Sequence, residues 1–102
     1  MSEKLLPIGT VVKIVSSTQP MVICGYCPVS TVDNKVSDYS LIGYPNGFFE
    51  NEGVLQVDRD MIAEVVYEGY MNSNAERFLE KLEEDMPSIK NDAALTDNNQ
   101  IS

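Results

Sequence analysis

The chain has 102 residues, 43% of them hydrophobic, and carries a formal net charge of −9 from 16 acidic and 7 basic residues. This length fits one domain with a single modest core. The acidic balance opposes binding to nucleic acids and anionic membranes, which depends on clustered Lys and Arg. Histidine is absent, which excludes histidine-based acid–base catalysis and histidine metal ligands.

The sequence also carries signals about location. No apolar run approaches the roughly 18–20 residues that a membrane-spanning helix needs. The opening sequence MSEKLLPIGT lacks the charged region and apolar core of a secretory signal. We therefore expect a cytoplasmic protein.

The first half of the chain alternates short apolar runs with turn residues. Thr10–Val15 and Met21–Tyr26 predict two strands joined by the turn SSTQP, so the pair should form a β-hairpin. Tyr39–Pro45 (YSLIGYP) predicts a third strand, followed by a tight turn at Asn46-Gly47. Val54–Val57 predicts a further short strand.

A change of period marks the second half. DRDMI predicts a turn or one helical turn, for which Asp58 is the candidate cap, and the β-branched and aromatic residues of Ala63–Tyr70 predict a strand. Ser73 and Glu76 match the S-x-x-E capping box that opens many helices, and Pro87 predicts where the helix ends. Apolar residues recur at helical spacing between these limits, on one face: Ala75, Phe78, Leu79, Leu82 and Met86.

These elements predict an α+β fold. We expect a small antiparallel sheet, or a partly closed β-barrel, covered by one C-terminal helix. Residues 1–88 should form the single globular domain. The polar, aperiodic residues 89–102 should form a flexible tail.

The stretch ICGYCPVS holds both cysteines, Cys24 and Cys27, at C-x-x-C spacing. Three interpretations are open: a thiol redox pair, half of a zinc site, or a strand that contains two cysteines. A redox pair requires a helix directly after the motif, and Val29–Asp38 shows no helical period. A zinc site needs about four ligands. We favour the structural interpretation, with Cys24 a small core residue and Cys27 at the end of its strand, and keep the redox pair as the alternative.

No catalytic constellation is visible in the sequence. Glu50 and Glu52, and Asp58 with Asp60, are close in sequence, but a solvated acidic surface is the simpler explanation. A serine nucleophile would lack its histidine base. We expect no catalytic residue, cofactor or metal, and therefore a non-enzymatic protein.

Aromatic residues offer a different kind of site. Tyrosine and phenylalanine on strands are usually core residues, but exposed ones are typical anchors for protein partners. The sequence GFFENEG places two phenylalanines in a loop-like segment beside acids. The candidate partner-binding residues are Tyr44, Phe48, Phe49 and Tyr70.

Three segments together resemble a known family: LPIGTVVKI, LIGYPNG and RDMIAEVVYEGYMNSNAERFLEKL. Their order and spacing are similar to those of a domain-of-unknown-function family of small proteins from Gram-positive bacteria (Firmicutes). Members tend to be encoded near type VII secretion genes and toxins with an LXG domain. The resemblance covers roughly residues 5 to 82. It includes no catalytic signature.

This resemblance implies a cytoplasmic accessory protein of type VII secretion. The role would be that of a chaperone or adaptor, and the partner would be a secreted LXG-type effector or a secretion component. An immunity-type protein that neutralises a toxin is a further alternative, because an acidic binder of a basic toxin would have a similar composition.

Overall fold

The computed structural model describes residues 5–30, 32–48 and 53–101, and the side chains among them as far as residue 91. The strands in this part of the chain are β1 (Val11–Ile14), β2 (Met21–Tyr26), β3 (Tyr39–Gly43), β4 (Leu55–Val57) and β5 (Ile62–Tyr67). A 3-10 helix, Arg59–Met61, precedes β5, and one α-helix, α1 (Ser73–Ile101), follows it. The predicted α+β class is confirmed.

The strands form one antiparallel sheet in the order β4-β3-β2-β1-β5. The predicted hairpin is present, with Val11 opposite Val22. The sheet is open, because β4 and β5 lie at opposite edges instead of pairing. Of the two predicted arrangements, the chain therefore adopts the open antiparallel sheet and not the partly closed barrel.

The core lies between one face of the sheet and α1. Alternate strand residues point to this face, as the two-residue period of a strand requires. Helix residues Leu79 and Met86 pack against them from above. Burying each large side chain contributes about 1.5–3 kcal/mol, so this layer supplies most of the stability. The buried cluster consists of Leu5, Val12, Ile14, Ile23, Tyr39, Leu41, Val57, Ile62, Leu79 and Met86.

The start of α1 differs from the prediction by one residue. The Ala75 backbone N–H donates to Asn72 Oδ1 over 2.8 Å, so Asn72 is the capping residue. Asparagine is as good a cap as serine, and the S-x-x-E match at Ser73 and Glu76 was therefore misleading. Phe78 also departs from the predicted core face, since it is 57% exposed and contacts the Tyr26 ring at the edge of the core.

The prediction that Pro87 ends the helix is wrong. Pro87 lies inside α1, which continues to Ile101. Proline removes one backbone hydrogen bond and crowds the preceding turn, but Met86 is buried in the core. Lys90, beyond the proline, forms ion pairs with Asp38 and Asp58. These tertiary contacts hold the chain helical across the proline.

Two turn predictions had different outcomes. The Asn46-Gly47 turn is confirmed, since Gly47 has a φ of 74° and its N–H donates to the Gly43 carbonyl oxygen over 2.8 Å. Asp58 does precede the 3-10 helix, but its side chain forms no capping hydrogen bond there. It accepts a hydrogen bond from the Asp38 backbone N–H instead, over 3.2 Å.

Candidate protein-binding surface

The second face of the sheet is free of α1 and carries exposed apolar side chains. A shallow depression of about 530 Å³ lies on it, where β1 and β2 meet β5 and the turn after β3. We call its lining the open-face patch: Gly9, Val11, Pro20, Val22, Tyr44, Val66 and Tyr67. Tyr44 is 54% exposed and Tyr67 is 67% exposed, so both rings are accessible to a partner.

An irregular pairing of β5 with β1 creates much of this patch. Val12 pairs with Val65 and Val11 with Tyr67, so the register shifts and Val66 has no partner across the ladder. A bulge of this kind bends the strand and changes where its side chains point. As a result Val66 and Tyr67 both line the patch, although strict alternation would place them on opposite faces.

Of the three predicted partner-binding residues that the structure describes, one lies in the open-face patch. Tyr44 lines the depression. Phe48 and Tyr70 are 58% and 78% exposed, but neither belongs to the lining. Phe49 lies outside the described residues. Tyr67 lines the patch as well, although it is not among the four predicted candidates; its aromatic side chain was the signal in the sequence.

Two tyrosines on the other side of the sheet have structural roles. Tyr39 Oη accepts the Leu6 backbone N–H over 2.9 Å, and Tyr26 Oη donates to the Leu6 carbonyl oxygen. Burial, with a smaller contribution from neighbouring Tyr39, raises the pKa of Tyr26 to about 12. Burial also raises the pKa of Tyr39. Both hydroxyls therefore stay protonated near neutral pH and fix the segment that enters β1.

The two cysteines lie on different sides of the sheet. Cys24 is exposed, and its Sγ lies 3.4 Å from the Ser40 carbonyl oxygen. The prediction that Cys24 is a core residue is thus wrong. Cys27 follows the end of β2, as predicted, and packs against the core with φ 55°. A register shift at Cys24 separates Ile23, which faces the core, from Gly25.

The thiols lack the features of a redox centre. Burial raises the pKa of the Cys24 thiol, and burial together with the nearby Asp38 carboxylate raises that of Cys27. Redox motifs instead lower a thiol pKa at the start of a helix. The chain after Cys27 turns back on itself, with a bridge between Val29 and Val36.

A charged network that the sequence did not suggest lies beside the core. Asp38 is 4% exposed and accepts the Arg59 backbone N–H over 2.8 Å. It also pairs with Arg59 Nε at 3.3 Å and Lys90 Nζ at 2.9 Å. Arg59 Nη1 reaches Glu83 Oε2 at 2.9 Å. The network joins the 3-10 helix and the loop before β3 to α1, so its role is to hold the helix on the sheet.

Metal-binding groups and membrane-spanning helices are absent from the described part of the chain. Among the described side chains of residues 5–30, 32–48 and 53–91, no group of three or more Cys, Asp or Glu has an arrangement suited to a metal ion. Within residues 5–30, 32–48 and 53–101, no helix is both long enough and apolar enough to cross a membrane.

The fold and the open-face patch define a small α+β protein with an exposed aromatic surface on its sheet. The family model described as "Domain of unknown function (DUF4176)" matches residues 5–78, and the chain belongs to this family. The matched region contains the whole sheet and the first residues of α1. No match was found among curated proteins or solved structures.

Proposed function

We propose that this protein is a non-enzymatic, protein-binding accessory of type VII secretion, acting as a chaperone or adaptor in the cytoplasm. Its partner would be a secreted LXG-type effector or a secretion component. The observation that carries the binding role is the open-face patch, in which Tyr44, Val66 and Tyr67 are exposed around one depression. The secretion context rests on the resemblance of LPIGTVVKI and its companion segments.

The composition of the patch supports protein binding over other roles. Tyrosine gives a large apolar area and a polar tip, and it is enriched where proteins meet. Val11, Val22 and Pro20 add apolar side chains to the lining that contains the two tyrosines. A contiguous exposed apolar surface with a polar surround is typical of an interaction site.

The test is an affinity measurement between the full chain and an LXG-type effector encoded beside its gene. The double variant Tyr44→Ala/Tyr67→Ala should weaken binding by about 30-fold or more, the usual effect of losing central aromatic anchors. Tyr70→Ala is the matched control, because Tyr70 is 78% exposed and lies outside the patch.

Unchanged affinity in the double variant would refute the open-face patch as the binding surface. Loss of binding in Tyr70→Ala or Phe48→Ala instead would place the contact at the originally predicted residues. Circular dichroism of each variant checks that the fold is retained.

The immunity-type alternative has a separate readout. Cells that express the neighbouring toxin inside the cytoplasm would survive if this protein blocks the toxin. A chaperone would raise the amount of secreted effector without rescuing such cells. The thiol-oxidoreductase alternative requires Cys24 and Cys27 to react readily, and the raised pKa of both thiols favours the binding role over it.

A further inference from the structure

A second surface, on the helix side of the molecule, has a different chemistry from the open-face patch. An apolar groove of about 300 Å³ runs along α1, with Leu5, Met71 and Leu79 in its lining. Leu5 and Leu79 are 3% and 5% exposed, so they form its floor. We call it the acid-rimmed groove, because the rest of its lining is Glu76, Glu80, Glu83 and Glu84.

The glutamates of this rim differ in whether a nearby cation neutralises their charge. Glu83 pairs with Arg59. Within the described part of the chain, Glu76, Glu80 and Glu84 form no ion pair. The cations nearest in sequence are committed elsewhere, since Lys81 pairs with Asp85 at 3.7 Å and Arg77 donates to Asn74.

The spacing of these three glutamates works against the helix. Glu76, Glu80 and Glu84 repeat every four residues, so they lie along one side of α1. Like charges at this spacing destabilise a helix by a few tenths of a kcal/mol for each pair. Glu76 lies in the first turn, where a negative charge favours the helix dipole, but Glu80 and Glu84 lie beyond that turn. A basic partner would convert this repulsion into attraction.

We propose that the acid-rimmed groove binds a basic amphipathic segment of another protein. An apolar side chain of the segment would enter the groove above Leu79, and Arg or Lys residues on either side would meet the glutamates. Four residues of α-helix span about 6 Å, so the matching cations would lie about 6 Å apart, as at positions i and i+4 of a partner helix. The inference rests on the proposed function only in taking the ligand to be a protein.

The floor and the rim each contribute to the choice of occupant. An acidic surface alone would be solvated, but this one borders an apolar groove that a side chain can fill. A second copy of the chain is disfavoured as the occupant, because two molecules each carrying −9 would repel one another.

The test uses a synthetic amphipathic peptide of about 18 residues, long enough to be helical when bound. It carries Leu at its centre and Arg at i,i+4 spacing, and is compared with the same peptide carrying Glu in place of Arg. Titration into the labelled full chain, followed by methyl NMR, should shift the signals of Leu5, Met71 and Leu79. The Arg peptide should bind more weakly as salt is raised, and the Glu peptide should not bind.

Two protein variants locate the charge contact. Glu80→Gln/Glu84→Gln should lower the affinity for the Arg peptide by about 2- to 30-fold, as expected for the loss of two exposed ion pairs. These changes relieve like-charge repulsion in α1, so unfolding would not account for the loss. Glu64→Gln on β5 removes one charge away from the groove and should leave the affinity nearly unchanged.

Several results would overturn the inference. One is a set of NMR signal changes centred on Val11 and Val22 instead of the groove. Another is a loss of peptide affinity in Glu64→Gln equal to that in Glu80→Gln/Glu84→Gln. A third is a change of the groove signals with protein concentration alone, which would indicate a second copy as the occupant. If no peptide binds while an effector still binds through Tyr44 and Tyr67, the groove inference fails and the proposed function stands.

Discussion

Replacing Asp38 by asparagine should destabilise the protein strongly, although Asp38 is far from the open-face patch. The Asp38 side chain is 6% exposed, whereas its partners Arg59 and Lys90 are 25% and 38% exposed. Asparagine keeps the size of the side chain but removes its charge. One oxygen that accepted hydrogen bonds would become an NH2 group facing other donors.

The size of the effect follows from these exposures. Removing one partner of a fully buried ion pair costs about 3–5 kcal/mol. Arg59 and Lys90 can regain water in the variant, which reduces the cost to about 2–3 kcal/mol. For a domain of this size about 1 kcal/mol lowers the melting temperature by about 4–8 °C. The variant should therefore melt about 10–20 °C below the native protein.

The pH dependence of this stability difference tests whether the charge of Asp38 causes it. Burial raises the pKa of Asp38, but the Arg59 backbone N–H and the Lys90 and Arg59 charges outweigh burial and leave the pKa below its ordinary value. A lowered native pKa stabilises the fold above the unfolded pKa of about 3.9, and this stabilisation is lost as pH falls through the native pKa. The gap between native protein and Asp38→Asn should therefore shrink below about pH 4.

Urea unfolding of both proteins at neutral and acidic pH measures this gap. Asp60→Asn is the matched control, since Asp60 follows Arg59 on the 3-10 helix and is exposed. It should change the free energy of unfolding by no more than about 0.5 kcal/mol. A gap that is small at neutral pH, or equally large at pH 3, would refute the role assigned to Asp38.

Three further changes test other parts of the structure. Gly69→Ala should lower the free energy of unfolding in urea by about 1–3 kcal/mol, because a Cβ would collide with the Ile8 carbonyl oxygen. Gly25→Ala is the control, since its Cβ would make only ordinary contacts. Equal losses in the two variants would contradict this reasoning. Pro87→Ala should raise the melting temperature, since it restores a helical hydrogen bond; a lower value would contradict the helix continuing there. Cys24 and Cys27 should react with a thiol reagent more slowly than free cysteine at pH 7, because their pKa values are raised; faster reaction would revive the redox alternative.

Local patterns were sufficient to predict most of the sheet. Met21–Tyr26 is a strand with the predicted limits, because turn residues bound an apolar run on both sides. The face that each residue occupies was harder to predict. Since Met21, Val22, Ile23 and Cys24 are all apolar, the run has no alternation to show which of them point to the core. The exposed position of Cys24 could not be read from such a run.

The end of α1 could not be predicted from local sequence rules. Pro87 is a reliable stop signal when only its neighbours are considered. The residues that override it are distant in sequence, since Lys90 pairs with Asp38, 52 positions away. The same contact explains why the charged network was missed, because a helix that ended at Pro87 would not have placed Lys90 beside Asp38.

The candidate site depends on a similar irregularity. Tyr44 was predicted as a contact residue because it is aromatic, and it does line the open-face patch. Tyr67 joins it only because the pairing of β5 with β1 shifts register. A regular strand would have given Val66 and Tyr67 opposite faces. Sequence patterns predict that a strand exists, whereas bulges follow from the packing of the whole sheet.

The positions of the two surfaces bear on the choice between a chaperone and an adaptor. The open-face patch lies on the side of the sheet away from α1, and the acid-rimmed groove lies along α1. A partner that covers one surface would leave the other accessible. If Tyr44→Ala/Tyr67→Ala and Glu80→Gln/Glu84→Gln each abolish a different interaction, the protein can join two partners, as an adaptor must. If both variants weaken one and the same complex, a single partner wraps around the molecule, which favours a chaperone.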